Sequence, residues 1–477
     1  MLLERLDALA REAPERIAVQ AADRPPVTRA EFAAMAREAG HAIRSCWGGK
    51  AEDGPVVVVV DGSPRSLASL VGALGCGLGI VAVEAGSPAL TGSRGVLADL
   101  EVGVVVAADV PALWPNARVL DPGDLGGAVS LTTFPEMFPA APSCDPELLQ
   151  LTSGSSGQPR LARQTYAGAV VAALSYVDRF QLAADDVVVL PVSAAHSYGM
   201  AGMLSALLVG ATVTSLPTFT PAAAAAALRD ATVLFGTPLM YRYLTVGPLG
   251  RDRAGALRLA VSAGAPLDAQ VAEAFRTRTG VAVRQVYGST EAGLIACTPA
   301  WRSGVPPDAV GPVAPGVDVR VAPDGELLVR TRSLMRGYFG DGPLHLDRGF
   351  YPTGDLGAVG EDGLLRITGR KSRFAKIGGR RVGFALVEDA LKRCPGVVDA
   401  VARSRPGPNG EEELVGYVVL AGTAPAEVLT ALRDGGLAPY EVPSELRVIA
   451  ELPRNHLGKV VAEELEEMVE KSSTSRV

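Results

Sequence analysis

The sequence predicts an α/β fold: a large N-terminal domain of mainly parallel sheets flanked by helices, a small antiparallel barrel-like part, and a small α+β C-terminal domain. Three observations predict it. Short β-branched apolar runs alternate with Ala/Leu-rich segments up to about Gly311, alternating runs around Asp-Gly turns come next, and a short mixed tail begins near Lys371. Continuously apolar runs suit strands covered on both faces, as in a parallel sheet between helices.

Taken in order, Met1 to Arg16 reads as an amphipathic helix with Leu2, Leu3, Leu6 and Leu9 on one side. Strands are expected at Val56–Val60, Ile80–Val83, Val102–Val106, Leu148–Leu151, Val187–Leu190 and Thr212–Leu216. Between them, Ser66–Gly75 and Pro221–Arg229 read as helices; the latter opens on proline and continues with six alanines. Val317–Ala322 and Glu326–Thr331 flank Asp324-Gly325, and Ala358-Val359 and Leu364–Ile367 flank Asp362-Gly363, both hairpin patterns. The tail offers a helix at Phe384–Arg393, strands at Val397–Ala402 and Leu414–Leu420, and a helix at Pro425–Arg433. We place the boundary at Arg370 to Arg373, giving a large domain 1–370 and a small domain 371–477.

Composition narrows the function. The net charge of −7 advertises no basic surface for nucleic acid. Five scattered cysteines without a CxxC pair, and four dispersed histidines, argue against a disulfide framework and a thiolate or histidine metal site. The charged N-terminus lacks the apolar core of a signal peptide. Val187–Leu228 carries no Asp, Glu, Lys or Arg, but Pro191, Pro217 and Pro221 and its polar clusters read as buried core, not as a span of roughly 20 apolar residues. The expectation is a soluble, cytoplasmic protein with no membrane segment.

The strongest chemical signal is Thr152-Ser153-Gly154-Ser155-Ser156-Gly157-Gln158-Pro159-Arg160. Glycines let backbone approach an anion, while hydroxyls and amides donate to phosphate oxygens. Alone, the segment also reads as a flexible linker, and it lacks the spacing of a Walker A loop. It resembles the phosphate-binding loop of the adenylate-forming superfamily: acyl- and aryl-CoA synthetases, adenylation domains of nonribosomal peptide synthesis, and luciferases. Other segments resemble that family's motifs in the same order: Tyr287-Gly-Ser-Thr-Glu-Ala-Gly293, Asp324–Val329 with Arg336-Gly-Tyr338, Tyr351-Pro-Thr-Gly-Asp355, Gly369-Arg370 through Val382, and Pro453–Lys459.

The resemblance implies a role for each residue. Tyr287 and Gly288 would lie against adenine, with the Ser262-Ala263-Gly264 segment forming the other wall and Ala265 and Ser289 also binding the nucleotide. Thr290 would bond the α-phosphate and Glu291 would hold Mg²⁺, a hard cation that prefers oxygen. Asp355 would accept both ribose hydroxyls, with Arg370 beside ribose and phosphates. Lys459, carried by a small domain that is mobile in the family, would stabilise charge as the substrate carboxylate attacks the α-phosphorus. His196, in Pro191–Gly199, would line or gate the acid channel. In isolation Glu291 is also an ordinary helix-terminal acid, Asp355 a turn residue, His196 a core histidine and Lys459 a solvated surface lysine.

The implied reaction is ATP-dependent formation of an acyl-AMP with release of pyrophosphate, then transfer to a thiol. Because Val187–Leu228 holds no acid to pair an α-ammonium, the substrate is expected to be an aryl or acyl carboxylic acid without one. After Lys459 too few residues follow for a carrier domain, so the acceptor is CoA or a separate carrier protein. An amine acceptor, giving an N-acyl bond, and a non-catalytic ATP-binding homologue are the alternatives. Arg160 stands where the family generally has lysine, and Ser372 and Arg373 stand where acidic residues are common; both departures bear on pyrophosphate handling and on the second half-reaction.

Overall fold

In the computed structural model the described residues are 2–21, 24–47, 54–90, 97–98, 100–108, 113–114, 117–123, 147–152, 160–247, 255–371, 373–377, 380–407, 412–435, 437–454, 460–461, 464–465 and 468–469. The chain divides into two compact units, one reaching to Leu346 apart from Val319–Leu328, the other made mainly of that segment and the chain from Asp347 onward.

The first unit holds two sheets among the described residues. In the larger, the spatial order is Gly293–Cys297, Val283–Ser289, Leu259–Ser262, Val233–Gly236, Val187–Leu190, Thr212–Ser215, Ile17–Ala21 and Arg24–Thr28, parallel except for its two edge pairs. In the other it is Arg118–Leu120, Val104–Val106, Val56–Val60, Ile80–Glu84, Glu147–Thr152 and Arg160–Thr165, antiparallel only at the last pair. The unbroken valine run is explained by burial on two sides. Val56, Val58 and Val60 face the core shared with Phe32, Leu70, Phe180 and Phe235, whereas Val57 joins a second cluster around Leu97, Leu100 and Trp114.

Helices start where small hydroxyls precede proline. Ser63, Thr220 and Thr237 accept from the amides of Ser66, Ala223 and Met240, and Pro64, Pro221 and Pro238 follow them. Arg29–Cys46 and Pro64–Gly75 pack closely enough that a Cβ on Gly72 would lie 2.2 Å from the Ala36 carbonyl oxygen. The acid-free stretch folds into core: the helix Ser197–Val209 is buried from Gly199 to Leu207. No described helix is long and apolar enough to cross a membrane.

The second unit contains the antiparallel pair Tyr351–Val359 and Leu364–Arg370, the hairpin Phe374–Ile377 with Arg380–Gly383, and a sheet of Val397–Pro406, Glu412–Leu420 and Glu445–Val448. Phe384–Arg393 and Pro425–Asp434 cover that sheet around Val387, Leu391, Val418 and Leu432. The expected mixed α/β architecture with a small antiparallel part and an α+β C-terminal part is therefore what forms.

In the first unit, a hydrogen-bonded ion pair stands at the N-terminal end of the strand Val187–Leu190. Asp186, just before Val187–Leu190, accepts from Thr232 Oγ1 at 2.7 Å, from Arg258 Nε at 2.9 Å and Nη2 at 2.5 Å, and from the Ala183 amide at 2.9 Å. Burial alone would raise its pKa, but Arg258, Thr232 and Ala183 outweigh burial and hold it below the ordinary carboxylate value. A lowered folded pKa gives stability that is complete above the unfolded value near 4 and is lost as pH falls through the folded value. Asp186→Asn is expected to cost roughly 2–3 kcal/mol at pH 7, less than a fully buried pair because Arg258 is partly exposed. Urea melts at pH 7 and below pH 4 check this, with the difference shrinking in acid. Equal midpoints at pH 7 would refute it.

Candidate active site

The carboxyl ends of the parallel strands gather most of the candidate residues of the first unit, as expected for open α/β sheets. Glu147–Thr152 and Arg160–Thr165 pair antiparallel with Thr152 opposite Arg160, so the predicted strand leading into the loop is present. Thr152 is buried and its hydroxyl donates to the Arg160 carbonyl at 3.2 Å. Ser153, Gly154, Ser155, Ser156 and Gly157 lie outside the described residues.

The Tyr287–Gly293 segment is the bend joining two antiparallel strands, with Tyr287 opposite Ala296 and Ser289 opposite Gly293. Gly288 has a backbone reason to be glycine, since a Cβ there would lie 2.4 Å from the Gly293 carbonyl oxygen. The bend is held from several directions. Gln164 Nε2 donates to the carbonyls of Thr290 at 2.5 Å and Glu291 at 3.3 Å. The Met335 amide donates to the Glu291 carbonyl at 2.7 Å, and Ser333 Oγ donates to the Ala292 carbonyl at 2.7 Å. Thr290 Oγ1 lies 3.0 Å from Ser197 Oγ, and the Tyr338 hydroxyl donates to Glu291 Oε1 at 2.8 Å.

Arg160 and Glu291 are thus tied to one locality. The guanidinium of Arg160 lies 3.4 Å from the centre of the Tyr338 ring and pairs with the Asp341 carboxylate. Gly264, at φ +93°, and Ala265 are exposed just beyond the strand Leu259–Ser262, while the buried Ser262 hydroxyl has no hydrogen-bond partner among the described residues.

His196 stands directly before the helix Ser197–Val209, and its Nε2 lies 3.3 Å from Glu84 Oε2. A carboxylate therefore reaches this region from the strand Ile80–Glu84, although Val187–Leu228 contains none. Glu84 also borders a cavity of about 190 Å³, whose lining includes Asp61, Leu190, Ser193, Met203 and Ser215.

In the second unit, Asp355 and Arg370 are cross-strand partners, and Arg370 Nε donates to Asp355 Oδ1 at 2.6 Å. Asp355 is buried to 5% exposure. The Gly354 amide donates to Glu326 Oε1 at 3.0 Å, and Lys371 Nζ lies 2.7 Å from both Asp324 Oδ2 and Glu326 Oε2. Asp324 first, then Glu326, hold the Lys371 ammonium above its ordinary pKa. Lys459 and Ser372 lie outside the described residues.

Sequence reasoning missed Gln164, Glu84 and the contacts of Tyr338. Gln164 left a readable sign, a polar residue on a strand directly after the loop. Tyr338 lay within a quoted motif that had no task. Glu84 offered none, because its partner is more than a hundred positions away.

The profile of the AMP-binding enzyme family matches residues 6–339, and that of the AMP-binding enzyme C-terminal domain matches residues 386–459. The chain is 31% identical over 409 residues to a (7a-methyl-1,5-dioxo-octahydro-1H-inden-4-yl)propanoyl:CoA ligase of Mycobacterium tuberculosis, covering 81% of this chain and 80% of that protein. It is 30% identical over 391 residues to salicyl-AMP ligase / salicyl-S-ArCP synthetase of the same organism, covering 74% and 67%. ATP-bound MatB from Rhodopseudomonas palustris superimposes with a TM-score of 0.86 at 26% identity, covering 98% of each chain. With the phosphate-loop strands, the Thr290–Glu291 bend and the Asp355–Arg370 pair in place, the match over most of the sequence settles the relationship: the chain belongs to the AMP-binding enzyme family of adenylate-forming ligases.

Proposed function

We propose that this chain activates an aryl or acyl carboxylic acid lacking an α-ammonium group, using ATP and Mg²⁺, and passes the acyl group to the thiol of CoA or of a separate carrier protein. Its enzyme class is that of AMP-forming acid–thiol ligases. The observation that carries the reading is the locality built by Gln164, Met335 and Tyr338 around Thr290 and Glu291, beside the strands that flank the phosphate loop.

Attack of a carboxylate on the α-phosphorus needs no protein nucleophile; it needs alignment and neutralised anions. In this reading Ser153 to Gly157 cradle the phosphates, Thr290 bonds the α-phosphate, and Tyr287, Gly288, Ser289, Gly264 and Ala265 surround the base. Asp355 and Arg370 take the ribose, and Lys459 steadies the attacking carboxylate from the small domain that we begin at Lys371. His196, held by Glu84, lines the acid channel.

No cluster of three or more potential protein ligands occurs among the described residues. A cation at Glu291 would therefore complete its shell with phosphate oxygens and water, the usual habit of Mg²⁺. When bound, Mg²⁺ would neutralise charge on the departing pyrophosphate. Neither relative named above is an α-amino acid ligase, which supports the proposed acid class. One is named for a CoA thioester and the other for a carrier thioester, which supports a thiol acceptor.

The test is acid-dependent ATP–pyrophosphate exchange over a panel of aryl, fatty and α-amino acids, followed by the best acid with CoA, a phosphopantetheinyl carrier and an amine. Exchange with an aryl or acyl acid and thioester formation are expected. Exchange with α-amino acids alone would overturn the substrate class, a purely amine-dependent product the acceptor, and ATP binding without any exchange the enzymatic reading.

A further inference from the structure

The side chain of Arg160 is engaged on two sides, by the Tyr338 ring and by the Asp341 carboxylate. The segment Arg336–Phe339 runs antiparallel to Arg160–Thr165. The Arg163 amide donates to the Gly337 carbonyl, the Arg336 amide to the Arg163 carbonyl, and the Phe339 amide to the Leu161 carbonyl, each at 2.8 Å. Tyr338 is paired with Ala162 in this register. Gly337 sits at φ +147°, a conformation that favours glycine. Glu147 fastens both segments, with Arg163 Nη2 at 2.7 Å and Arg336 Nη1 at 3.4 Å.

The Tyr338 ring is consequently held at its face and at its tip. The planar guanidinium of Arg160 stacks 3.4 Å from the ring centre, itself paired with Asp341, and the phenol hydroxyl donates to Glu291 Oε1 at 2.8 Å. A hydroxyl bonded to one carboxylate oxygen fixes the rotamer of that carboxylate, while the carboxylate keeps further acceptor capacity for a cation. A lysine ammonium is a compact point charge without a plane to lay on the ring.

We infer that Tyr338 is a positioning residue for Glu291 and that Arg160 acts as the clamp on Tyr338, not as a direct pyrophosphate ligand. The inference rests on the reading of Glu291 as the metal-facing carboxylate. The positive charge of Arg160 is in this arrangement directed at Asp341 and the phenol ring.

The test compares Tyr338→Phe, Arg160→Gln and Glu291→Gln in the full chain. Three quantities are read: Mn²⁺ binding to the protein–ATP complex by electron paramagnetic resonance, ATP affinity in EDTA by calorimetry, and the Mg²⁺ concentration for half-maximal exchange. Tyr338→Phe is expected to weaken Mn²⁺ binding and raise the Mg²⁺ requirement by about 10-fold, with ATP affinity in EDTA unchanged. Arg160→Gln should shift the same two readings in the same direction and likewise spare metal-free ATP binding.

Parental metal dependence in Tyr338→Phe, alongside a weakened Glu291→Gln, would overturn the positioning role and leave the reading of Glu291 standing. Unchanged metal binding in Glu291→Gln would remove that reading and the inference with it. Loss of metal-free ATP affinity in Arg160→Gln would return Arg160 to the phosphates and overturn the clamp. Should Tyr338→Phe fail to fold, Arg160→Gln decides alone, because it leaves the phenol in place and removes the cation that lies over it and pairs with Asp341.

Discussion

Lys459→Ala is expected to lower acid-dependent ATP–pyrophosphate exchange by roughly 10²–10³-fold, the usual effect of removing one pre-placed donor from a developing charge. The carboxylate and the α-phosphate are both anionic, so bringing them together is opposed by charge, and one cation between them acts only as the new bond forms. A contribution confined to that moment changes the rate more than the binding. ATP affinity of the variant should therefore stay within a few-fold of the parent, measured by calorimetry in the absence of acid. Lys459→Arg should recover little, because a forked guanidinium does not reproduce a compact ammonium. Exchange at the parental rate in Lys459→Ala would show that the residue has no part in the first half-reaction.

Asp355→Asn is expected to weaken AMP and ATP binding by roughly 10–100-fold, since hydrogen bonds to a charged group are each worth about 1.5–3 kcal/mol and the ribose would lose a charged acceptor. The side chain is buried at 5% exposure and receives Arg370 Nε at 2.6 Å, so the substitution also leaves Arg370 facing a neutral amide. Calorimetry with AMP and with 2′,3′-dideoxy-AMP separates the two effects. If the ribose hydroxyls are the partners, the parent loses affinity for the dideoxy analogue and the variant shows almost no difference between the ligands. A variant that still discriminates as strongly as the parent would assign the hydroxyls to another residue.

Much of the fold was legible because it is written in local patterns. The valine run at Val56–Val60 has its two-sided burial, Asp324-Gly325 joins two neighbouring strands, and Asp362-Gly363 joins an antiparallel pair. Phe384–Arg393 forms over the expected residues, because its apolar positions recur at helical spacing. Other ends moved. The helix expected from Ser66 begins at Pro64, where the Ser63 cap sets it, and the strand expected to end at Ala402 runs on to Pro406 because Glu412–Leu420 pairs along its whole length. Caps and pairing partners, not the apolar pattern, decide such ends.

The candidate site divides in the same way. Thr152–Arg160, Thr290, Glu291, Asp355 and Arg370 were nominated by the resemblance of their short motifs, in order along the chain, to those of the adenylate-forming superfamily, whereas Glu291 and Asp355 taken alone read as a helix-terminal acid and a turn residue. The tertiary structure alone decided that Gln164 holds the carbonyls of Thr290 and Glu291, that Glu84 meets His196, and that Tyr338 stands between Arg160 and Glu291. Such pairs are set by sheet order and strand register, which depend on how whole faces are buried against one another. A hydrogen bond reaching across more than a hundred positions leaves no periodicity in the chain that carries it.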